Sequence, residues 1–88
     1  MQHQSHPAIL KRLKRTEGHL RAVIAMLEAH RPCLDLAQQL HAVEKSINNA
    51  KRVLVQDHME HCLGDGMRKS GKGAKDAMIE FKALAKYL

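Results

Sequence analysis

The stretch that decides the fold is CLDLAQQLHAVEKSINNAKRVLVQDHMEHCL, residues 33–63, which contains neither glycine nor proline. Its seam alternates steps of four and three residues, as in a coiled-coil heptad, and consists of Leu36, Leu40, Val43, Ile47, Ala50, Leu54, Asp57 and His61. At a rise of about 1.5 Å per residue, the predicted helix is ~45 Å long. A helix of this length is unusual in so small a chain, and its apolar face needs a partner along all of it.

A shorter helix is predicted before this stretch, because apolar residues recur at helical spacing over about five turns. Its seam residues are Ile9, Leu13, Thr16, Leu20, Val23 (or Ile24) and Leu27. Ser5 is a suitable N-cap, and Pro7 fits the first turn, where a missing N–H costs nothing. Gly18 costs roughly 1 kcal/mol relative to alanine and indicates a close backbone approach. Pro32 forces the preceding residue out of the α region, so the helix ends before it.

A short third helix is predicted at the end of the chain, after a flexible basic loop at residues 64–73. One face of this helix carries Ala77 (or Met78), Phe81, Leu84 (or Ala85) and Leu88. The sequence therefore predicts an all-α subunit, a long antiparallel hairpin plus a short C-terminal helix, in one domain over residues 1–88 with a flexible arm at residues 1–5. Because the third helix cannot cover the hairpin, we expect a homodimer with a four-helix bundle core.

Composition excludes several classes of protein. The 88 residues include 15 Lys+Arg and 9 Asp+Glu, a net charge of +6 that favours a polyanionic partner such as nucleic acid. Two cysteines are too few for a disulfide scaffold, and no apolar run is long enough to cross a membrane. No carboxylate pair, Ser/His arrangement or phosphate-binding glycine loop suggests an enzyme. With no signal-peptide segment either, we expect a cytoplasmic, non-enzymatic protein.

The candidate metal-binding residues are two cysteines and several histidines. His58 and Cys62 lie four residues apart in a predicted helix, so they share a face and can bind one metal ion. Cys33 lies 25 residues before His58, or ~37 Å along a rigid helix. It can join the other two only across a dimer with antiparallel long helices, which would hold two equivalent sites. His3 and His6, near the start of the first helix, can approach the same site.

The donor set limits the choice of metal. Two thiolates and one imidazole in a trigonal arrangement suit Cu(I), which we expect here. A fourth nitrogen would instead suit square-planar Ni(II) or tetrahedral Zn(II), and both alternatives stay open. His61 falls on the seam, where we expect it to pack or to support the site. The remaining histidines, His19, His30 and His41, show no ligand pattern and are expected on the surface or in the core.

Basic residues away from the apolar seams form a candidate DNA-binding face. They are Lys11, Lys14, Arg15 and Arg21 on the first helix, and Lys45, Lys51 and Arg52 on the second. A multimer repeats this face and can track phosphates along a duplex. Because the sequence contains neither a helix-turn-helix nor a zinc-finger pattern, we expect recognition through phosphate contacts and DNA shape.

Three segments carry a resemblance to a known family: RLKRTEGH at residues 12–19, PCLDLAQQL at residues 32–40 and DHMEHC at residues 57–62. The chain resembles, over essentially its whole length, the copper-sensitive operon repressor and nickel–cobalt resistance regulator (CsoR/RcnR) family of metal- or formaldehyde-sensitive transcriptional repressors. The resemblance implies a homodimer that pairs into a homotetramer, metal sites between subunits, and binding to operator double-stranded DNA that weakens when the effector binds.

The resemblance also implies roles for individual residues. Cys33, His58 and Cys62 match the copper-type ligand set of the family, whereas a histidine such as His3 is similar to the nickel and cobalt members. The implied function is a repressor that leaves its operator on binding Cu(I) or Ni(II) and derepresses metal efflux or resistance genes. Two alternatives stay open. One is a repressor that senses persulfide or redox state through its cysteines, and the other is a metal-buffering protein that does not bind DNA.

Overall fold

The computed structural model describes residues 5–66 and 72–88, with the backbone alone for residues 62–66 and 72. Of the arm predicted at residues 1–5, only Ser5 therefore lies within the described part of the chain. The helices are α1 (His6–Glu28), α2 (Cys33–Gly66) and α3 (Lys72–Ala85), and the described residues contain no strand. The prediction of an all-α chain with three helices is confirmed.

The chain separates into two compact units. The first, Pro7–Ala50, holds most of α1 and the first half of α2 and is called the hairpin unit below. The second combines Lys51–Leu88 with the beginning of the chain up to His6 and is called the C-terminal unit. The organisation as a single domain stays a prediction. No helix among the described residues has both the length and the apolar character needed to span a membrane.

The core of the hairpin unit follows a seven-residue repeat on both helices. Buried positions on α1 are Ile9, Thr16 and Val23, and those on α2 are Val43 and Ala50. Residues seven apart occupy nearly the same side of a helix, so each helix presents one narrow strip to the other. The periodicity that predicted these two helices is confirmed at these five positions.

Two polar pairs fix the register of α1 against α2 within the hairpin unit. The hydroxyl groups of Thr16 and Ser46 lie 2.7 Å apart, and His19 Nε2 lies 2.7 Å from Gln39 Oε1. The partner positions on α2 decrease as those on α1 increase, so the helices are antiparallel, as predicted. Thr16 is buried, so its hydroxyl needs partners. It donates to the backbone carbonyl of Arg12 at 2.9 Å and accepts from the hydroxyl of Ser46.

The other half of the predicted hairpin seam is not covered by the described residues of one chain. The exposed seam residues of this unit are Leu13, Leu20, Ile24 and Leu27 on α1 and Leu40 and Ile47 on α2. The apolar stripe is therefore wider than the strip that two packed helices can bury. Exposed apolar side chains in such number are typical of a surface that another molecule covers.

α1 ends in a Schellman motif rather than at Pro32 itself. The N–H of His30 donates to the carbonyl of Leu27 at 3.1 Å, and the N–H of Arg31 donates to the carbonyl of Met26 at 3.1 Å. His30 has a φ of 57°, the left-handed conformation that this motif requires and that glycine usually adopts. The predicted end of the helix is confirmed, although the sequence did not indicate a histidine in this conformation.

Replacing His30 with glycine is expected to stabilise the fold by about 1 kcal/mol. A left-handed L-residue costs roughly 1–2 kcal/mol, and glycine removes that strain at some cost in unfolded-state entropy. Urea unfolding followed by circular dichroism at one fixed protein concentration measures the change. The control is His41→Gly, an exposed position within α2, which should lose up to about 1 kcal/mol. A loss of stability in both variants would contradict the strain at position 30.

The loop predicted at residues 64–73 extends into the helices on both sides. α2 continues through Gly64 to Gly66, and α3 already begins at Lys72. A glycine costs about 1 kcal/mol in a helix without preventing helical backbone, so two glycines near a helix end are tolerated. The rest of the predicted loop, residues 67–71, lies outside the described residues.

The C-terminal unit buries a different side of α2. Val55 is buried although it lies off the predicted seam, five residues after Ala50 and roughly 140° around the helix. On α3, the predicted face is half-buried at Ala77, Phe81 and Leu84. The inclusion of Leu88 was wrong, because α3 ends three residues earlier and Leu88 is exposed.

Candidate metal centre and nucleic-acid interface

His58 forms the best-defined contact near the predicted metal ligands. It lies half-buried on α2, and its Nε2 is 2.6 Å from Oε1 of Glu80 on α3. Both residues belong to the C-terminal unit. A carboxylate on one ring nitrogen fixes the orientation of an imidazole, and metal-binding histidines commonly have such a partner. Sequence reasoning missed Glu80, because a contact 22 residues away leaves no mark in helical periodicity.

Asp57, the neighbour of His58, connects two further residues. Its Oδ2 accepts a hydrogen bond of 2.5 Å from the hydroxyl of Ser5, and its Oδ1 lies 3.5 Å from His61 Nδ1. The same nitrogen of His61 donates to the backbone carbonyl of Asp57 at 3.1 Å. His61 is thus half-buried and bonded to its own helix, and its role in supporting the site stays a prediction. The predicted N-cap, Ser5, directly precedes α1, but its hydroxyl donates to α2.

The structure places the other predicted ligands as follows. Cys33 is the first residue of α2, and its thiol is free and exposed. Cys62 lies in α2 one turn after His58, and its side chain is outside the described part, as is all of His3. His6 begins α1. Within the described residues of one chain, no three His, Cys, Asp or Glu side chains cluster to hold a metal. The set Cys33, His58 and Cys62 stays a prediction.

All the predicted DNA-binding cations are exposed: Lys11, Lys14, Arg15, Arg21, Lys45, Lys51 and Arg52. Arg21 forms an ion pair with Glu17 at 2.6 Å, and both side chains are well exposed. Such a pair is worth little, so a phosphate can compete for the guanidinium. Lys11, Lys14 and Arg15 occupy positions on α1 that none of its buried residues share. These side chains are therefore accessible to a partner.

Gly18 lies on the same side of α1, four residues after Lys14 and three after Arg15. A Cβ atom built at Gly18 would meet nothing within 4 Å. The expectation of a close backbone approach at this position is therefore wrong for the described residues of one chain. Among the described residues, no contact requires a glycine here or compensates its energetic cost in the helix.

Comparison with known proteins places the chain in a family. The model of the family described as "Metal-sensitive transcriptional repressor" matches residues 5–86. The chain belongs to this family. The match covers all three helices, so the family resemblance stated from the three sequence segments is confirmed. Members of the metal-sensitive transcriptional repressor family are regulators, which agrees with the prediction that the chain is not an enzyme.

Curated relatives in the family are copper sensors. The copper-sensing transcriptional repressor CsoR of Mycobacterium ulcerans is 39% identical over 74 residues, covering 83% of this chain and 63% of the relative. CsoR of Bacillus subtilis is 42% identical over 65 residues, covering 74% and 63%. The copper-sensing repressor RicR of Mycobacterium tuberculosis is 32% identical over 73 residues, covering 83% and 76%. The chain thus spans less than two thirds of the length of the two CsoR relatives.

A solved structure shares the fold over the whole chain. The nickel-responsive transcriptional regulator InrS superimposes with a TM-score of 0.83 at 28% sequence identity, covering 100% of this chain and 98% of InrS. The likeness confirms the fold class of this family member. The relatives of this chain include copper-sensing repressors and the nickel-responsive InrS, so family membership alone does not identify the metal.

Proposed function

We propose that this family member is a cytoplasmic, metal-responsive repressor. It binds operator double-stranded DNA without metal and releases it on binding Cu(I), derepressing metal efflux or resistance genes. The observation that carries the proposal is the contact of 2.6 Å between His58 Nε2 and Glu80 Oε1, one helical turn before Cys62. In a metal-sensitive repressor family, a histidine held in this way beside a cysteine has the features of a metal ligand.

The donor chemistry fits Cu(I). The proposed site combines His58 and Cys62 of one subunit with Cys33 of the other. Cu(I) prefers soft thiolate ligands and accepts imidazole, so three such donors satisfy it without a fourth. The exposed thiol of Cys33 is accessible to a second subunit. When bound, the metal supplies no catalysis, and its effect is to tie two protein chains together.

The uncovered apolar face of the hairpin unit supports the required dimer. Leu20 is 41% exposed, Leu27 62% and Leu40 50% in a single chain. Burying a leucine side chain contributes roughly 1.5–3 kcal/mol, so covering this face with a second copy would stabilise the protein substantially. A two-fold axis makes such an interface self-complementary and would complete a four-helix core. The pairing of dimers into a tetramer is the further arrangement that we propose from the resemblance.

The proposed switch follows from linkage between two ligands. Metal binding would fix the beginning of one α2 relative to the far end of its partner's α2, and the cations of α1 would change position on the assembly. If metal weakens DNA binding by some factor, DNA must weaken metal binding by the same factor. A coupling of roughly 1–3 kcal/mol is typical, which corresponds to a change of about 5- to 150-fold in affinity.

A titration of labelled operator DNA tests the proposal. Fluorescence anisotropy would give the Kd of the metal-free, Cu(I)-loaded and Ni(II)-loaded protein at one salt concentration, because affinity for DNA depends strongly on salt. We expect tight binding without metal and weaker binding with Cu(I). Equal affinities in all three states would overturn the sensor function. Absence of salt-dependent binding to any duplex would favour the metal-buffering alternative.

Ni(II) is the second candidate effector, because the whole chain superimposes on the nickel-responsive InrS. A planar nickel site needs a fourth donor, for which His3 and His6 are the predicted nitrogen ligands. X-ray absorption of the loaded protein distinguishes the metals, and the same measurement tests Zn(II). Two sulfurs and one nitrogen around three-coordinate copper support Cu(I), whereas a four-coordinate planar site supports nickel.

Replacing Gly18 with alanine is expected to stabilise the free protein by up to about 1 kcal/mol and to weaken DNA binding. The new Cβ meets no described atom within 4 Å, so the gain in helix propensity is retained. On the cationic side of α1, however, it would stand between the helix backbone and a DNA strand. Thermal unfolding and anisotropy measure the two effects. Unchanged or tighter DNA binding would show that the glycine does not face the DNA.

A further inference from the structure

Asp57 makes contacts that the proposed metal site does not require. Its side chain is only 16% exposed, and each carboxylate oxygen has its own partner. Oδ2 accepts the hydrogen bond from Ser5, and Oδ1 faces His61 Nδ1 at 3.5 Å. A carboxylate with defined partners on both oxygens is fixed in position. It lies next to His58 and one and a half turns before Cys62, within the C-terminal unit.

Ser5 sits at the other end of this contact, directly before the first residue of α1. The hydrogen bond joins residues 52 positions apart in sequence, so it ties the start of α1 to the turn of α2 that bears His58. α1 continues without a break to Glu28 and carries Lys11, Lys14 and Arg15. Because α1 is continuous, a displacement of its first turn would also displace the cations that follow.

We propose that Asp57 and Ser5 form a positioning link through which the metal-binding turn of α2 controls α1. This inference rests on the proposed function and assigns a route for its regulation. Metal ligation at His58 and Cys62 would move the intervening turn, and the carboxylate of Asp57 would transmit that movement to Ser5. Neither Asp57 nor Ser5 binds metal or DNA, so the link affects the coupling between the two ligands rather than the affinity for either.

Three substitutions of Ser5 separate this role from helix capping. Ser5→Ala removes both the donor to Asp57 and the predicted N-cap. Ser5→Asp keeps a good cap, but it cannot donate to a carboxylate and adds repulsion. Ser5→Thr keeps the hydroxyl. The matched control is Ser46→Ala, which removes a hydroxyl pair of 2.7 Å with Thr16 in the hairpin unit.

The experiment measures, for each variant, the operator Kd with and without Cu(I), the Cu(I) affinity by chelator competition, and amide exchange in the first turn of α1. Ser5→Ala and Ser5→Asp should reduce the ratio of the two Kd values roughly tenfold, as expected for loss of one hydrogen bond to a charged group. Their Cu(I) affinity should stay near that of the unmodified protein. Ser5→Thr and Ser46→Ala should keep the full ratio. Metal should change amide exchange at residues 10–13, whose N–H groups donate to the carbonyls of the first turn, only in proteins that keep the link.

The possible failures are distinguishable. A full ratio in Ser5→Ala, with normal metal response of the unmodified protein, overturns the link and leaves the proposed function intact. A full ratio in Ser5→Asp alone shows that Ser5 acts only as a cap, which also overturns the link. No metal response in the unmodified protein overturns the proposed function, and the link with it.

Discussion

His58→Ala should abolish release of DNA by Cu(I), while metal-free DNA binding is retained. The substitution removes one of three proposed ligands and leaves two thiolates that belong to different subunits. Loss of a residue that only supports a ligand already costs about 10- to 100-fold in metal affinity, so loss of the ligand itself should cost at least about 100-fold. Chelator competition gives the affinity for Cu(I), and anisotropy gives the response of the protein–DNA complex.

Glu80→Gln provides a graded version of this test. The amide keeps the size of the side chain but removes the charge that faces His58 Nε2 at 2.6 Å. We expect a loss of about 10- to 100-fold in Cu(I) affinity, with a response that returns at higher metal concentration. His41→Ala is the matched control, since it removes an exposed histidine from the first half of α2 and should change nothing.

The same variants separate metal sensing from the thiol-based alternative. A persulfide or redox sensor needs Cys33 and Cys62 but not His58. Such a protein would respond to polysulfide, lose its response in either cysteine-to-alanine variant and keep it in His58→Ala. A protein in which His58→Ala responds to Cu(I) like the unmodified chain contradicts the ligand set proposed here.

The features that could be predicted from the sequence are the ones encoded locally. Helical periodicity depends on residues three, four and seven apart, so it identified α1, α2 and the buried positions Ile9, Val23 and Val43. The one-turn spacing of His58 and Cys62 is likewise local. The periodicity did not show which half of the apolar stripe on α1 faces α2, because that depends on how the two helices pack against each other.

The features that the sequence did not reveal depend on contacts between distant segments. Glu80 lies 22 residues from His58, and Ser5 lies 52 residues from Asp57. The spacing of these polar residues does not indicate that they are in contact, because the contacts depend on how the helices pack. Val55 was missed for a related reason, since burial moves to another side of α2 in the C-terminal unit.

Replacing Lys14 and Arg15 together with glutamine should weaken operator binding by about one to two orders of magnitude at low salt. Both are exposed, lie away from the buried strip of α1 and are repeated in every copy of a multimer. Each phosphate contact contributes roughly 0.9 to the slope of log K against log salt. The slope should therefore fall by about 2 for each subunit that contacts the DNA. Anisotropy titrations at several salt concentrations measure it.

The matched control for this pair removes the same charge from α3 and the end of the chain. Lys75 and Lys86 are both exposed, and no DNA contact is proposed for either. If the cations of α1 contact phosphates, Lys75→Gln with Lys86→Gln leaves the slope nearly unchanged, because net charge alone acts through a field that salt screens. Equal losses in the two double variants would mean that overall charge attracts the DNA and that α1 is not the contact surface. A reduced slope in the α1 variant alone would locate the interface on this helix.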